Sequence, residues 1–234
     1  GFLGPNGAGK STTMNIMTGY IASTSGEVLI DGHNILEEPE AAKKCIGYLP
    51  EQPPLYFDMT VAEYLKFAAE LKKVPKNERE TQIEQVMELT GITAMANRLI
   101  KNLSKGYKQR VGLAQAILGY PEIIILDEPT VGLDPKQIIE IRELIRKLSE
   151  EHTIILSSHI LSEVSAVCDY IMIINHGKLV ASDTTENLMN HSLGSNTLEL
   201  TVKGEKQDVE KMLRDVEEIQ KLEWKPGENE KTVS

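Results

Sequence analysis

Short apolar runs alternate along the chain with stripes of apolar residues at helical spacing. Apolar runs bounded by glycine, proline or charged residues predict buried strands. These runs lie at 2–3, 27–30, 45–49, 122–128, 153–157, 170–175 and 178–181. Stripes with apolar residues three and four positions apart predict helices at 11–20, 37–44, 60–73, 83–89, 104–118, 135–149 and 160–167. Strands that alternate with helices favour an α/β fold with a mostly parallel sheet.

One stretch departs from this alternation because its pattern predicts helices only. Thr60 and Glu63 form a T-x-x-E capping box, which marks the start of a helix. The predicted buried stripe of that helix is Val61, Tyr64, Leu65, Ala68 and Leu71. Pro75 ends the pattern, a second amphipathic helix follows, and a short third helix covers 92–99. We therefore predict an inserted helical subdomain at about 55–120.

Turn signals and a second change of pattern organise the rest of the chain. Asp31-Gly32 predicts a tight turn, and the sequence at 175–177 predicts the turn of a hairpin. Beyond about residue 192 the pattern predicts a strand at 198–202, a helix at 208–216 and a strand at 219–224. We expect a main domain over 1–190 and a small βαβ extension over 191–234.

Composition narrows the classes of function. The chain has 234 residues and a formal net charge of −10. The negative charge argues against nonspecific nucleic-acid binding as the main role, so we expect no nucleic-acid partner. No apolar run approaches the roughly 18–20 residues that a membrane span needs, so a membrane function would use spans of another chain. Cys45 and Cys168 lack the spacing of metal ligands and indicate two thiols in a reducing compartment.

The strongest chemical motif stands at the start of the chain. Residues 4–11 match the phosphate-binding loop pattern G-x-x-x-x-G-K-[ST], and an apolar helix follows. Glycines let the backbone curve so that its N–H groups point into one concavity, where the helix also aims its positive dipole end. Lys10 then reaches the β- and γ-phosphates, and the Ser11 hydroxyl ligates Mg²⁺. The predicted nucleotide contacts are Gly4, Pro5, Asn6, Gly7, Ala8, Gly9, Lys10, Ser11 and Thr12.

Further polar side chains follow three of the predicted buried strands. Asp127 and Glu128 end the run E-I-I-I-L-D-E, Gln52 follows the strand at 45–49, and His159 follows the next strand after the acids. In open α/β sheets ligands bind beyond the carboxyl ends of the strands. Asp127 is placed to hold Mg²⁺, Glu128 to deprotonate an attacking water, and His159 to sense the γ-phosphate. Alone, each would more often be solvated or structural, and the phosphate loop favours the catalytic interpretation.

Two residues are predicted to cap helices. Ser104 precedes an apolar helix face with Gly106 nearby, which makes a candidate second anion site. From this stretch alone, a plain helix cap is the favoured interpretation. Asp134 precedes Pro135, which suits the first position of the next helix.

In this order and spacing, the motifs resemble the ATP-binding cassette subunit of an ABC transporter over about 1–190. The matching positions are 4–12 for the Walker A loop, Gln52 for the Q-loop, 103–106 for the signature, 123–128 for Walker B with its catalytic Glu, 133–134 for the D-loop and His159 for the switch histidine. The resemblance implies an α/β fold of the P-loop NTPase, ABC-ATPase type, with an inserted helical subdomain and a small C-terminal βαβ extension. It also implies an ATP hydrolase that uses ATP and Mg²⁺.

Within this family the chain is most similar to ABC-2 type exporter ATPases, including gliding-motility and multidrug export ATPases. That similarity rests on Lys105 in the signature, on the run at 106–116 and on the small C-terminal extension. The resemblance implies that the subunit powers an exporter.

The resemblance also assigns roles to residues and partners. It implies two subunits that clamp two ATP molecules, with the Walker A loop of one and the signature of the other on the same nucleotide. The expected catalytic residues are Glu128, His159 and Gln52, the metal ligands are Ser11, Gln52 and Asp127, and the contacts from the signature and D-loop are Ser104, Gly106 and Asp134. We expect a homodimer and a transmembrane permease, which docks around 52–59 and the helix at 60–73. The location implied is cytoplasmic, at the inner face of the membrane through the permease.

The sequence departs from the family pattern at three places. Lys105 replaces a signature glycine, so a cation substitutes electrostatically for one close backbone approach to phosphate. The D-loop reads Val-Gly-Leu-Asp. The chain has no initiator Met and opens at the end of the strand that feeds the phosphate loop. We therefore expect missing N-terminal strands, among them the segment with the adenine-stacking aromatic residue, and weakened ATP binding.

A soluble ABC ATPase in chromosome maintenance, translation or cofactor assembly is the alternative function. Chromosome-type relatives insert long coiled coils before the signature, and this chain has no sustained heptads. Translation-type relatives carry two cassettes per chain, and this chain shows one. A GTPase is disfavoured because no N-K-x-D motif occurs, and a pure binding module because Glu128 is present.

Overall fold

The computed structural model describes residues 1–188, 202–203, 206–214 and 232–233. Contacts between Cα atoms divide the chain into two units, Gly1–Asn187 and Leu188–Ser234, and each is described by itself. The sequence-based domain limits near residue 190 stay a prediction.

The first unit is built on a six-stranded sheet. The strands of this unit are β1 (Phe2–Leu3), β2 (Leu29–Ile30), β3 (His33–Asn34), β4 (Ile46–Leu49), β5 (Ile123–Asp127), β6 (Thr153–Ser158), β7 (Tyr170–Asn175) and β8 (Lys178–Thr184). The order in the sheet is β4-β5-β6-β1-β7-β8, with only β8 antiparallel to its neighbour. Leu3 pairs with Ser158 and Asp127 with Ser157, so the carboxyl ends of β1, β5 and β6 share one edge.

Helices cover the sheet and form the predicted insertion. They are α1 (Lys10–Met17), α2 (Pro39–Lys44), α3 (Val61–Leu71), α4 (Arg79–Leu89), α5 (Lys105–Ile117), α6 (Pro135–Leu148) and α7 (Leu161–Val164), with 3₁₀ turns at Thr93–Met95 and Ile100–Asn102. Helices α3, α4 and α5 lie between β4 and β5 in the chain, as the pattern predicted. Across the described residues, the helices are too short or too polar to cross a bilayer.

The predicted helix starts are present. Thr60 and Glu63 form both hydrogen bonds of the capping box at α3. The Ser104 hydroxyl accepts a hydrogen bond from the Tyr107 N–H at α5, and Asp134 Oδ1 accepts one from the Gln137 N–H at α6. Each cap satisfies an N–H group that the helix itself leaves without a partner.

Strand β5 is buried on both faces, as its unbroken apolar run predicted. Ile124 belongs to the larger apolar cluster, which fills the space between the sheet and α3, α4, α5 and α6. The next residue, Ile125, belongs to a second cluster with Met14 of α1 and Ile46 of β4. Neighbouring side chains of a strand point to opposite faces, so these two isoleucines anchor two layers of helices to one strand.

Two tight turns are present where the sequence predicted a turn at Asp31-Gly32 and a hairpin turn at 175–177. Asp31 and Gly32 join β2 to β3 with φ of 48° and 79°. His176 and Gly177 join β7 to β8 with φ of 47° and 70°. Positive φ at both central residues is the turn geometry that matches the twist of paired strands.

Three local predictions were wrong. Leu71, predicted in the buried stripe of α3, is 66% exposed because α3 ends there and the next buried apolar side chain is Val74. The predicted helix at 92–99 is a 3₁₀ turn, and the helix predicted at 160–167 spans only α7. Both short segments are fixed by packing onto neighbouring elements, which local periodicity does not record.

The second unit contains β9 (Val202–Lys203), α8 (Lys206–Arg214) and β10 (Thr232–Val233). β9 and β10 pair antiparallel. The strand predicted at 198–202 falls within the described residues only at Val202, where β9 begins. The strand predicted at 219–224 lies outside the described residues.

Candidate active site

A curved loop joins β1 to α1, and backbone groups hold its shape. The Ala8 N–H donates to the Pro5 carbonyl at 3.1 Å, and the Gly177 N–H at the tip of the β7–β8 hairpin donates to the Ala8 carbonyl at 2.9 Å. Gly9 caps α1 with a φ of 107°, which side chains rarely allow. A Cβ on Gly4 would lie 2.3 Å from the Ile174 carbonyl oxygen, so only glycine fits there.

Lys10 lies inside the curve of this loop and is only 5% exposed. Its Nζ donates to the carbonyl oxygen of Gly4 at 2.7 Å and to that of Pro5 at 3.3 Å. The same Nζ forms an ion pair with Glu128 Oε1 at 3.3 Å. A buried cation therefore lies at the N-terminus of α1, the place where the motif predicts phosphate oxygens.

Glu128 connects Lys10 to His159. Its Oε2 lies 3.0 Å from His159 Nδ1, and because a carboxylate only accepts hydrogen bonds, Nδ1 carries the proton. Glu128 follows the last residue of β5 with a φ of 49°, an uncommon backbone conformation for a side chain of this size. The structure thus brings together three residues that stand at positions 10, 128 and 159 of the sequence.

Ser157 on β6 holds the two acids in register. Its hydroxyl donates to Asp127 Oδ1, and it accepts a hydrogen bond from the Glu128 N–H at 3.0 Å. Asp127 is 3% exposed. Burial, and then the nearby charge of Asp127, raise the pKa of Tyr48 to about 12. Tyr48 therefore stays protonated beside this carboxylate at neutral pH.

The three predicted metal ligands do not contact one another. Ser11 and Gln52 are exposed, and their side chains form no hydrogen bond with another described residue. In the part of the chain that the structure describes, no group of three His, Cys, Asp or Glu could hold a metal ion. Asp127 is a buried carboxylate at the end of β5, and Ser11 lies in the first turn of α1, directly after the phosphate loop. Carboxylate and hydroxyl oxygens are ligand types that suit Mg²⁺, which keeps several waters and shares phosphate oxygens.

The signature and the D-loop lie side by side. A Cβ on Gly106 would lie 2.7 Å from the Gln137 side chain, and the Lys105 side chain packs over Gly132 of the D-loop. Gly106 and Asp134 line one cleft of about 570 Å³. Ser104 and Asp134 are exposed, and no contact joins either to Lys10 among the described residues.

Sequence reasoning missed the buried hydroxyl groups around this site. Ser157 and Ser158 end β6 and are fully buried, and Glu163 and Thr130 are buried beside them. The signal that could have revealed them is the pair of serines directly before His159, because these two polar residues end a strand that is otherwise apolar.

A phosphate loop between a parallel strand and a helix, with two acids ending a nearby strand, defines a P-loop nucleotide-binding domain. The family model for "ABC transporter" matches residues 1–131, more than half of the chain, and the chain belongs to that family. Family membership confirms the fold and the type of subunit that the motifs predicted.

Individual relatives agree. The chain is 45% identical over 183 residues to the ABC transporter ATP-binding protein YhcH of Bacillus subtilis (strain 168). The aligned region covers 77% of this chain and 59% of YhcH. It is 43% identical over 182 residues to the bacitracin transport ATP-binding protein BcrA of Bacillus licheniformis, covering 77% of this chain and 58% of BcrA. The chain therefore spans less than two thirds of the length of these relatives.

A solved structure agrees with the fold. cbiO1 from Clostridium perfringens, described as part of the ABC transporter complex cbiONQ, superposes with a TM-score of 0.73 at 29% identity. The superposition covers 82% of this chain and 78% of cbiO1.

Proposed function

We propose that this chain is the ATP-binding and ATP-hydrolysing subunit of an ABC exporter and powers a separate permease by ATP-driven closure of a dimer. The contact series Lys10–Glu128–His159 carries the proposal, because it joins a phosphate-loop cation, a general base and a phosphate sensor at one sheet edge. The distances, 3.3 Å between Lys10 Nζ and Glu128 Oε1 and 3.0 Å between Glu128 Oε2 and His159 Nδ1, keep the three groups within hydrogen-bond reach of one another.

Lys10 and Glu128 act in sequence in this proposal. Lys10 exchanges its contact with Glu128 Oε1 for a phosphate oxygen of ATP, which leaves Oε1 to accept the proton of the attacking water. His159 donates from Nδ1 to Glu128 Oε2 and holds the carboxylate in place, and in its doubly protonated form it can also donate from Nε2 to the γ-phosphate. Mg²⁺, held by Ser11, Asp127 and Gln52, would neutralise charge on the phosphates.

Ser104, Gly106 and Asp134 act on the nucleotide of the second subunit. Two capped helix N-termini, those of α5 and α6, stand at the exposed edge of the signature and D-loop cleft. Such ends favour anions, and in the described part of one chain they form no contact with Lys10. A homodimer that places them on the partner's ATP uses all of these groups.

The names of two relatives support the proposal of a permease partner. BcrA is named for bacitracin transport and cbiO1 is described as part of a transporter complex, and this chain is similar to both. We infer that the subunit works in the cytoplasm, at the inner face of the membrane, bound to its permease.

The first test is Glu128→Gln. Loss of the base lowers kcat for ATP hydrolysis by about 100-fold or more, while the ATP dissociation constant stays within about threefold, because Gln keeps the size of the side chain. Phosphate release and ATP binding are measured on the full-length protein with and without Mg²⁺.

Glu150→Gln serves as the control, because Glu150 is an exposed acid beyond the end of α6. It should leave both constants unchanged. Normal turnover in Glu128→Gln would refute the assignment of the base.

A further inference from the structure

Glu163 is a buried acid that the proposed reaction does not use. It lies on α7 and is 7% exposed. Its Oε2 accepts a hydrogen bond from Thr130 Oγ1 at 2.7 Å and another from Ser158 Oγ at 3.0 Å. Hydrogen bonds to a carboxylate are about twice as strong as those between neutral groups, so both hydroxyls are held firmly.

The two hydroxyl donors belong to the segments that carry the active-site pair. Thr130 lies two residues after Glu128, and Ser158 directly precedes His159. The Ser158 hydroxyl also accepts a hydrogen bond from the Ile160 N–H at 3.2 Å. The backbone is therefore fixed on both sides of His159 through one hydroxyl that Glu163 orients.

A third segment joins this cluster from α6. Arg142 Nη2 lies 3.9 Å from Glu163 Oε1. The Nε of Arg142 is buried and has no hydrogen-bond partner among the residues that the structure describes. The arginine therefore leaves one buried N–H group without a partner in the described part of the chain, and its positive charge offsets the negative charge of Glu163.

Stability alone does not account for a charge at this position. Replacing a buried ion pair by apolar residues of similar volume is often neutral or stabilising, so such a pair is weak evidence for a purely structural role. Hydrogen-bonded buried groups do fix geometry, since one carboxylate oxygen sets the distance between two loops.

We propose that Glu163 is a positioning residue, which holds the Glu128 and His159 loops at the distance that their 3.0 Å contact requires. This inference rests on the proposed function, because it concerns the same pair of groups. Glu163 does not touch substrate and acts only through Thr130 and Ser158.

The kinetic test compares Glu163→Ala with Glu163→Gln in the full-length protein. Glu163→Ala lowers kcat about tenfold or more, because small displacements of catalytic groups cost large factors in rate, while KM for ATP stays within about twofold. Glu163→Gln restores kcat to within about threefold of wild type, because its amide oxygen still accepts both hydroxyl hydrogen bonds. An equal loss in both variants, or a parallel rise in KM, would overturn the inference.

The second readout does not depend on turnover. In protein labelled with ¹⁵N-histidine, the His159 ring signal is identified by its loss in His159→Ala. Glu163→Ala shifts this signal, whereas His152→Ala leaves it in place. His152 is the matched control because its Nδ1 donates to the Pro121 carbonyl at 2.7 Å, at the opposite end of the β5–β6 pair.

The two proposals fail in different ways. A wild-type protein that hydrolyses no ATP contradicts the proposed function, and the His159 signal then decides the role of Glu163. A His159 signal that is unchanged in Glu163→Ala refutes the positioning role, even where wild type hydrolyses ATP and Glu128→Gln does not.

Discussion

At the scale of single residues, Ser157 shows how one hydroxyl group can fix the positions of two neighbouring acids. It donates to the Asp127 carboxylate of β5 and accepts from the Glu128 N–H, and it is fully buried. Both contacts cross from β6 to β5, where Ser157 pairs with Asp127. The orientation of the proposed metal ligand and the backbone position of the proposed base therefore depend on one buried hydroxyl of the neighbouring strand.

Ser157→Ala should weaken both stability and Mg²⁺ use. It leaves a buried carboxylate oxygen of Asp127 without its hydrogen bond, which costs about 1–3 kcal/mol in the free energy of unfolding. The Mg²⁺ concentration for half-maximal ATPase activity should rise, because Asp127 loses its fixed orientation. Denaturant unfolding and Mg²⁺ titration measure the two effects.

Ser182→Ala is the control for this substitution. Ser182 lies on β8 of the same sheet, and its exposed hydroxyl donates to the Tyr170 hydroxyl at 3.2 Å. It should change neither quantity. A Ser157→Ala protein with the Mg²⁺ requirement of wild type would exclude the proposed role.

At the scale of elements, Lys72 fastens α3 to α5. Its Nζ donates to the carbonyls of Ala116 and Leu118 at 2.8 Å each, at the C-terminal end of α5. Burial lowers the pKa of Lys72 from 10.5 to about 8. A neutral amine still has two N–H groups, enough for both carbonyls, so the contact survives deprotonation.

The stability difference between wild type and Lys72→Met should depend on pH. Between about pH 8 and 10.5 the unfolded chain holds the Lys72 proton and the folded chain does not, so the free energy of unfolding rises with pH. Between pH 7.5 and 10, the free energy of unfolding of wild type should rise by about 2 kcal/mol relative to that of Lys72→Met. Denaturant unfolding at both pH values measures this gain, and a difference independent of pH would contradict it.

Elements with a local signal were predictable from the sequence. The capping box at Thr60, the proline after Asp134 and the turn at Asp31-Gly32 each act within a few residues, so the residues alone decide the geometry. The exposure of Leu71 and the shortness of α7 depend on what packs against them. Periodicity carries no such information.

The candidate site also contains residues with a local sequence signal and residues whose surroundings depend on the fold. Lys10, Glu128 and His159 could be selected as candidates from the sequence because each follows a strand or loop with a recognisable motif, and the structure places their side chains in contact. Ser157 and Glu163 could not be selected in this way, because their roles depend on which strands are neighbours in the sheet. That order, β5-β6-β1, is a property of the folded chain.

At the scale of the whole molecule, a surface before α3 suits a partner protein. Tyr56 and Phe57 are 53% and 51% exposed. Lys108 lies 5.3 Å from the centre of the Phe57 ring, and Asp58 pairs with Lys101 at 3.2 Å. Exposed aromatic groups rimmed by charges are typical of protein interfaces.

An affinity purification of the full-length protein from its own cells in detergent tests this surface. We expect a polytopic membrane protein to co-purify with wild type and to be lost or reduced in Asp58→Lys, which reverses a charge on this surface. Glu150→Lys is the control for a charge reversal elsewhere. Recovery of ribosomes, DNA or soluble assembly factors without a membrane protein would support a soluble ABC ATPase.

Backbone groups of the β7–β8 hairpin pack against the phosphate loop. Gly177 donates its N–H to the Ala8 carbonyl, and the Ile174 carbonyl lies directly under Gly4. Leu179 and Val180, farther along β8, are 60% and 64% exposed. Exposed side chains on the outer strand of the hairpin can therefore be replaced, for example by a spectroscopic label. The backbone groups of the hairpin that contact the phosphate loop stay the same.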